Sequence, residues 1–154
     1  MTDFRVGASI PAPPAAVFEV IAHAERFAEV VPHIERIEFV SEQRRGVGTR
    51  FRETRLFKRR EATSELEVTG YEPPRLVRLV ADEGGTVWDS TFTLAASADA
   101  AATDLTLVMT ASAYTWSARL LNPVLRRVIT KGLVDDLDAV AAHFASPASG
   151  GGGE

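Results

Sequence analysis

Residues 105–144, LTLVMTASAYTWSARLLNPVLRRVITKGLVDDLDAVAAHF, change their hydrophobic period midway. Leu105, Leu107, Met109 and Ala111 alternate with threonines and one valine, the period of two that belongs to a strand with one buried face. From Trp116 the period becomes helical: Val124, Val128, Leu133, Leu137, Val140 and Phe144 make an apolar stripe that Leu125 and Ile129 widen. Asn122-Pro123 reads as an N-cap followed by the favoured first-turn proline, which divides the stretch into a lead-in turn, Thr115–Leu121, and a main helix, Pro123–Phe144. At 1.5 Å per residue that helix is roughly 33 Å long, enough to cross a whole sheet.

Almost everything between Ile34 and Tyr114 reads as strands and tight turns. The run VGTRFRETRLF puts Val47, Thr49, Phe51, Glu53, Arg55 and Phe57 on one face. In EATSELEVTGY, Ala62, Ser64, Leu66 and Val68 oppose charged and threonine neighbours. Glu72-Pro73-Pro74 breaks that strand, Arg75–Ala81 forms the next, and Gly84-Gly85 signals a tight hairpin. Trp88, Ser90, Phe92 and Leu94 then share a face. At the front, Phe4, Val6, Ala8 and Ile10 alternate as a first strand. Pro11, Pro13 and Pro14 end it and open a helix through Val17, Phe18, Ile21 and Ala22, and a second short helix over Glu25–Val31 stops before Pro32.

Composition bounds the function from the other side. A chain of 154 residues with 45% apolar and 25% charged residues is expected to be one domain, residues 1–146, followed by a loose glycine-rich tail, residues 147–154. The net charge of −4, from 17 basic and 21 acidic residues, argues against nucleic acid as a partner. With no cysteine there is no disulfide, thiolate metal site or cysteine nucleophile. His23, His33 and His143 show no metal-ligand spacing, so neither a metal nor another cofactor is expected. There is no apolar signal core and no stretch of 18 apolar residues, which makes a cytoplasmic location the expectation.

Strand, two short helices, a run of antiparallel strands and one long closing helix resemble the helix-grip fold of the START-like superfamily, also called SRPBCC or polyketide cyclase/dehydrase-like. The resemblance runs from Phe4 to Ala145 through ASIPAPPAAVFEVIAHAERFAEVVPHIERIEFV, GVGTRFRET, YEPPRLVRLV and VWDSTFTL. It implies an α+β fold in which a curved antiparallel sheet of six to seven strands wraps around the C-terminal helix. Members of that superfamily bind lipids, quinones, hormones or polyketides between sheet and helix, and only some catalyse a reaction.

Strand parity then nominates the cavity wall: Phe51, Phe57, Leu66, Val68, Trp88, Ser90, Phe92, Leu107 and Met109 from the sheet, with Val124 and Val128 from the helix. Glu53 and Arg55 fall on the same face. Buried, they must pair with each other or anchor a ligand; near the strand's open end they reach water. Tyr114, at a strand end, is a third polar candidate. The leading expectation is binding or transport of a small hydrophobic molecule such as a lipid, isoprenoid quinone or polyketide-like aromatic, for which a cavity of roughly 300 Å³ is the usual minimum. Two alternatives stand beside it. One is an aromatase/cyclase or dehydratase-like enzyme that uses Glu53, Arg55 or Tyr114. The other is a protein-interaction module of the same fold. Basic corners at Arg44-Arg45 and Lys58-Arg59-Arg60, with Arg119, Arg126, Arg127 and Lys131, suit weak contact with anionic surfaces.

Overall fold

The computed structural model describes residues 2–145, so the glycine-rich tail lies outside the described residues. β1 (Thr2–Ile10) turns at its prolines into α1 (Pro14–Ile21), where proline in the first turn forfeits no intrahelical hydrogen bond. α2 (Ala24–Val30) ends ahead of Pro32. β2 (Ile34–Phe39), β3 (Arg50–Phe57), β4 (Arg60–Glu72), β5 (Leu76–Glu83), β6 (Thr86–Ala96) and β7 (Thr103–Ala113) follow as an antiparallel meander. α3 (Trp116–Val124) and α4 (Arg126–Ala145) close the chain.

All seven strands belong to one sheet in the order β1-β7-β6-β5-β4-β3-β2. The first two strands of the sequence therefore lie on opposite edges, and α1 and α2 carry the chain from one edge to the other. α4 packs along the same side of the sheet. Its Leu137 and Val140 meet Ile10, Val17, Phe18, Ile21, Val77, Leu94 and Leu105 in the main core, all buried. A smaller cluster of Phe4, Met109 and Ala111 takes Trp88, Ile129 and Leu133 against it.

Between sheet and helix the local geometry differs from the expectation. The break falls at Leu125, not at Asn122-Pro123. Thr115 is the cap of α3, its hydroxyl accepting the Ala118 N–H at 3.3 Å. Asn122 is buried instead, and its side-chain amide donates to the Thr86 hydroxyl at 2.9 Å. A tertiary hydrogen bond has outweighed the local capping preference. Pro123 sits inside α3, where it has no N–H to donate, and the helix continues past it through the Leu125 N–H, which reaches the Leu121 and Asn122 carbonyls. Gly85 permits the close approach at the other side of this joint. It adopts φ +82° in the β5–β6 turn, and a Cβ there would collide with the Thr115 side chain.

The apolar stripe is also narrower than expected. At roughly 100° per residue Val128 stands about 140° from Leu133 and about 180° from Leu137 on the same helix, so the three cannot share one face. Val124 and Val128, expected to face the sheet, point outward at 75% and 69% exposure. Ile129, Leu133, Leu137 and Val140 form the buried side, with Phe144 packed partly against the core.

Two substitutions test the joint and the helix that follows it. Asn122→Ala leaves the buried Thr86 hydroxyl without its partner and lowers the unfolding free energy by about 1–2 kcal/mol in urea titrations. Gly132 lies inside α4, where an added Cβ meets nothing within 4 Å. Gly132→Ala therefore raises stability by about 0.5–1 kcal/mol in the same measurement.

Candidate ligand cavity and its ion triad

The concave face of the sheet and the helices enclose a cavity of about 130 Å³. Alternation along β3, β4, β5, β6 and β7 presents Phe51, Leu66, Leu79, Ser90, Phe92 and Leu107 to it. The joint between α1 and α2 supplies Ile21, Ala22, Ala24 and Phe27, and α4 supplies Leu133. That joint is pinned from behind. His23 is fully buried, with Nδ1 at 2.9 Å from the Glu19 carbonyl oxygen and Nε2 at 2.9 Å from the Tyr71 hydroxyl. A carbonyl only accepts, so Nδ1 carries a hydrogen, and in the neutral ring Nε2 then accepts from the Tyr71 hydroxyl. Burial raises the Tyr71 phenol above its ordinary pKa.

The polar part of the wall is concentrated in three charged groups. Arg55 on β3 donates through Nε to Glu53 on the same strand at 2.7 Å, and through its two terminal nitrogens to both Asp136 oxygens on α4 at 3.0 and 2.9 Å. The side chains are only 20%, 14% and 9% exposed for Arg55, Glu53 and Asp136. Burial is the largest influence on Arg55 and works against its charge. The Asp136 hydrogen bonds and the fields of both carboxylates outweigh it together and hold the guanidinium above its ordinary pKa. The fork geometry makes the Asp136 contact bidentate and ties sheet to helix. Two carboxylates against one guanidinium leave the triad with a net charge of −1.

A second, more open space of about 660 Å³ begins on the other side of this triad. Arg55 and Asp136 belong to both walls. The outer groove is otherwise bordered by His33, Leu56, Phe57, Lys58 and Arg60 on one side, and Val128, Lys131, Gly132 and Asp135 on the other. His33 stacks on Phe57 with ring centroids 6.0 Å apart. The inner cavity alone falls short of the roughly 300 Å³ usual for a ligand site; inner cavity and groove together exceed it.

Of the residues nominated from sequence, Phe51, Leu66, Ser90, Phe92 and Leu107 line the inner cavity, along with Glu53 and Arg55. Val68 is buried in the main core beside it. Trp88 and Met109 share the nominated face but lie further along their strands, in the smaller cluster. Phe57 is half exposed, because β3 outruns the helix before the Lys58-Arg59 turn, and it borders the groove. Val128 borders the groove too, whereas Val124 faces away from both spaces. Tyr114 is removed from the site. It is 57% exposed and donates to Asp82 at 2.7 Å, a hydrogen bond that holds its phenol above the ordinary pKa.

Asp136 is the polar residue that parity along strands did not reach. Its signal was nonetheless present: an aspartate one turn after Leu133 and one turn before Val140 stands on the buried stripe and requires a cation opposite. The walls from α1, α2 and Leu79 carry only small or aliphatic side chains and one phenylalanine, which give no sign of a cavity in sequence.

Comparison with known proteins agrees with this geometry. The family model for polyketide cyclase / dehydrase and lipid transport matches residues 1–145. No curated protein matches the chain. Among solved structures, the Zhui aromatase/cyclase of Streptomyces sp. R1128 superposes with a TM-score of 0.78 at 20% identity, covering 99% of each chain. A protein of Thermus thermophilus gives 0.76 at 18% identity, covering 97% of this chain and all of that one (100%). Truncated norcoclaurine synthase of Thalictrum flavum gives 0.74 at 13% identity, covering 94% of both. At these identities the neighbours share the fold. With the family model spanning nearly the whole chain and the sheet closed by the long helix, the chain belongs to the polyketide cyclase/dehydrase and lipid transport family.

Proposed function

We propose that this protein binds a small, largely apolar molecule that carries hydroxyl hydrogen-bond donors, with a phenolic, polyketide-like aromatic as the best fit. The observation that carries this reading is the pairing of an apolar cavity with one cluster of charge of net −1 at its outer wall. Burial of the ligand's rings contributes roughly 25 cal/mol per Å² of apolar area, before the costs of association are deducted. A cavity of about 130 Å³ holds about one aromatic ring. A second ring therefore extends past Arg55 and Asp136 into the groove.

The triad selects the polar end. Glu53 and Asp136 retain acceptor lone pairs beyond those that Arg55 uses, and a ligand hydroxyl can donate to them. At the triad a ligand carboxylate meets two like charges and a guanidinium that is already occupied, so it is disfavoured there, while the groove cations Lys58, Arg60 and Lys131 lie further out. This argues for a phenol or alcohol over a free fatty acid. The cyclase reading uses the same carboxylates, now as proton acceptors at a reacting carbon, and it is favoured by their position on the cavity wall. In that case a dehydration lowers the mass of the bound molecule by one water, whereas ring closure alone leaves the mass unchanged and alters its absorbance.

Calorimetry with 2-naphthol and 2-naphthoate checks the selection. The naphthol is expected to bind more tightly by about tenfold or more, equivalent to about 1.4 kcal/mol or more. Equal or inverted affinities contradict the role given to the triad. Ser90→Phe, which places a ring in the cavity from a half-buried strand position, is expected to abolish naphthol binding while the circular dichroism spectrum is retained. A second expectation concerns the link itself. Asp136→Leu removes the helix side of the Arg55 clamp and costs about 3 kcal/mol of stability in urea titrations. Incubation with a linear poly-β-ketone, followed by chromatography, absorbance and mass spectrometry, reports whether ring closure or loss of water accompanies binding.

A further inference from the structure

A helix with apolar side chains turned outward marks a surface that something covers. Trp116, Leu120, Val124 and Val128 follow one another at intervals of four along α3 and the start of α4, exposed by 76%, 66%, 75% and 69%. Helical bonding continues between the two elements through the Leu125 N–H and from Ile129 back to Leu125, so the four side chains form one inclined ridge. Leu121 adds to it. The opposite side of the same helices carries the buried Ala118 and Asn122. The ridge is therefore a second apolar face, distinct from the one that packs on the sheet.

Charge indicates what covers it. In a chain of net charge −4, residues 116–131 contain Arg119, Arg126, Arg127 and Lys131 and no acidic residue. Arg119 and Arg126 donate to the backbone carbonyls of Ala113 and Asp3, contacts that leave their charge uncompensated, and Arg126 also lies over the Phe4 ring. Arg127 forms no ion pair among the described residues; only Lys131 does, with Asp135. At the Val128 end the ridge meets the β3–β4 corner across the groove, where half-exposed Phe57 stands beside Lys58, Arg59 and Arg60. Lys58 and Arg59 adopt φ +46° and +73°, the left-handed turn positions that favour asparagine and glycine. Basic residues thus occupy this corner against the local backbone preference.

We propose that this face docks on an anionic membrane surface, with the Trp116–Val128 ridge entering the boundary between headgroups and acyl chains and the basic residues meeting lipid phosphates. No helix among the described residues is long and apolar enough to cross a membrane, and the contact is peripheral. An amphipathic helix with a tryptophan and aliphatic ridge flanked by arginine and lysine has the pattern of an interfacial binder. A second copy of the chain fits less well, because a symmetric contact would set this basic face against itself. The proposal does not depend on the cavity being filled, and it turns the mouth of the groove toward the lipid.

Flotation with vesicles tests it on the whole chain with no added ligand. The protein is expected to float with equimolar phosphatidylcholine and phosphatidylglycerol and to remain behind with phosphatidylcholine alone. Raising the salt from about 0.1 M to about 1 M, which shortens the Debye length from roughly 10 Å to 3 Å, should weaken the association. Tryptophan emission should shift to the blue in the wild type and in Trp88→Phe, but not in Trp116→Phe. The pairs Leu120→Gln with Val124→Gln, and Arg119→Glu with Arg127→Glu, should each reduce partitioning by roughly tenfold or more without altering circular dichroism. Failure to float with the anionic vesicles, or equal flotation with both compositions, overturns the proposal. So does a concentration-dependent dimer in sedimentation that Leu120→Gln dissociates, since the ridge would then be a contact between copies.

Discussion

Arg55 is held between a carboxylate of its own strand and a carboxylate of the closing helix, and the geometry of the whole interior follows from that clamp. A guanidinium so far from water is tolerated only when its charge and its donors are met. Glu53 meets one side from β3, and Asp136 meets the other from α4 in a bidentate contact. The clamp fixes how closely the helix approaches the strands at one end. Leu137 and Val140 fix it further along by packing into the core. Where α4 presents Leu133 and Asp136 to the sheet, the apolar side chains do not fully close, and the inner cavity is what remains.

The same clamp divides the interior into two unequal spaces. Inside it the walls are almost wholly apolar and the volume is small. Outside it the groove is larger and rimmed by Lys58, Arg60, Lys131 and Asp135. On the proposed binding role, a molecule longer than one ring passes the Arg55–Asp136 contact, where the net negative charge of the triad favours hydroxyls over carboxylates. On that reading, size and polarity are screened at one place. Gly132 borders the groove one turn before Asp136 and packs no side chain of its own, which keeps that wall open at a cost in helix stability.

Much of this was legible in sequence because it rests on period. Alternation along β3 to β7 identified the concave face, and the prolines after β1 identified the helix that leaves it. The switch of period near Trp116 placed the closing helix. What period could not supply was phase across Asn122-Pro123. The residue types match a cap, but the buried hydrogen bond from Asn122 to Thr86, across 36 positions of sequence, decided the joint instead. Val128 faces outward for a simpler reason, since it stands roughly half a turn around α4 from Leu133 and Leu137. Glu53 and Arg55 were visible as charges on an inward face, whereas their partner Asp136 required knowing which turn of the helix lies opposite β3. The cavity's helical wall, from Ile21 to Phe27, is made of side chains that any core would use, so only the three-dimensional packing reveals it.

A ligand in the inner cavity, between the concave sheet face and Leu133 and Asp136 of α4, is what the proposed function requires. Methyl-labelled nuclear magnetic resonance during titration with 2-naphthol tests this most directly. Saturable shifts are expected at Leu66, Leu79, Leu107 and Leu133, which line the cavity, with little change at Leu94 and Leu105 in the packed core. Shifts confined to Leu120, Leu121, Val124 and Val128 on the outer ridge, or no saturable shift at the four cavity leucines, would contradict it.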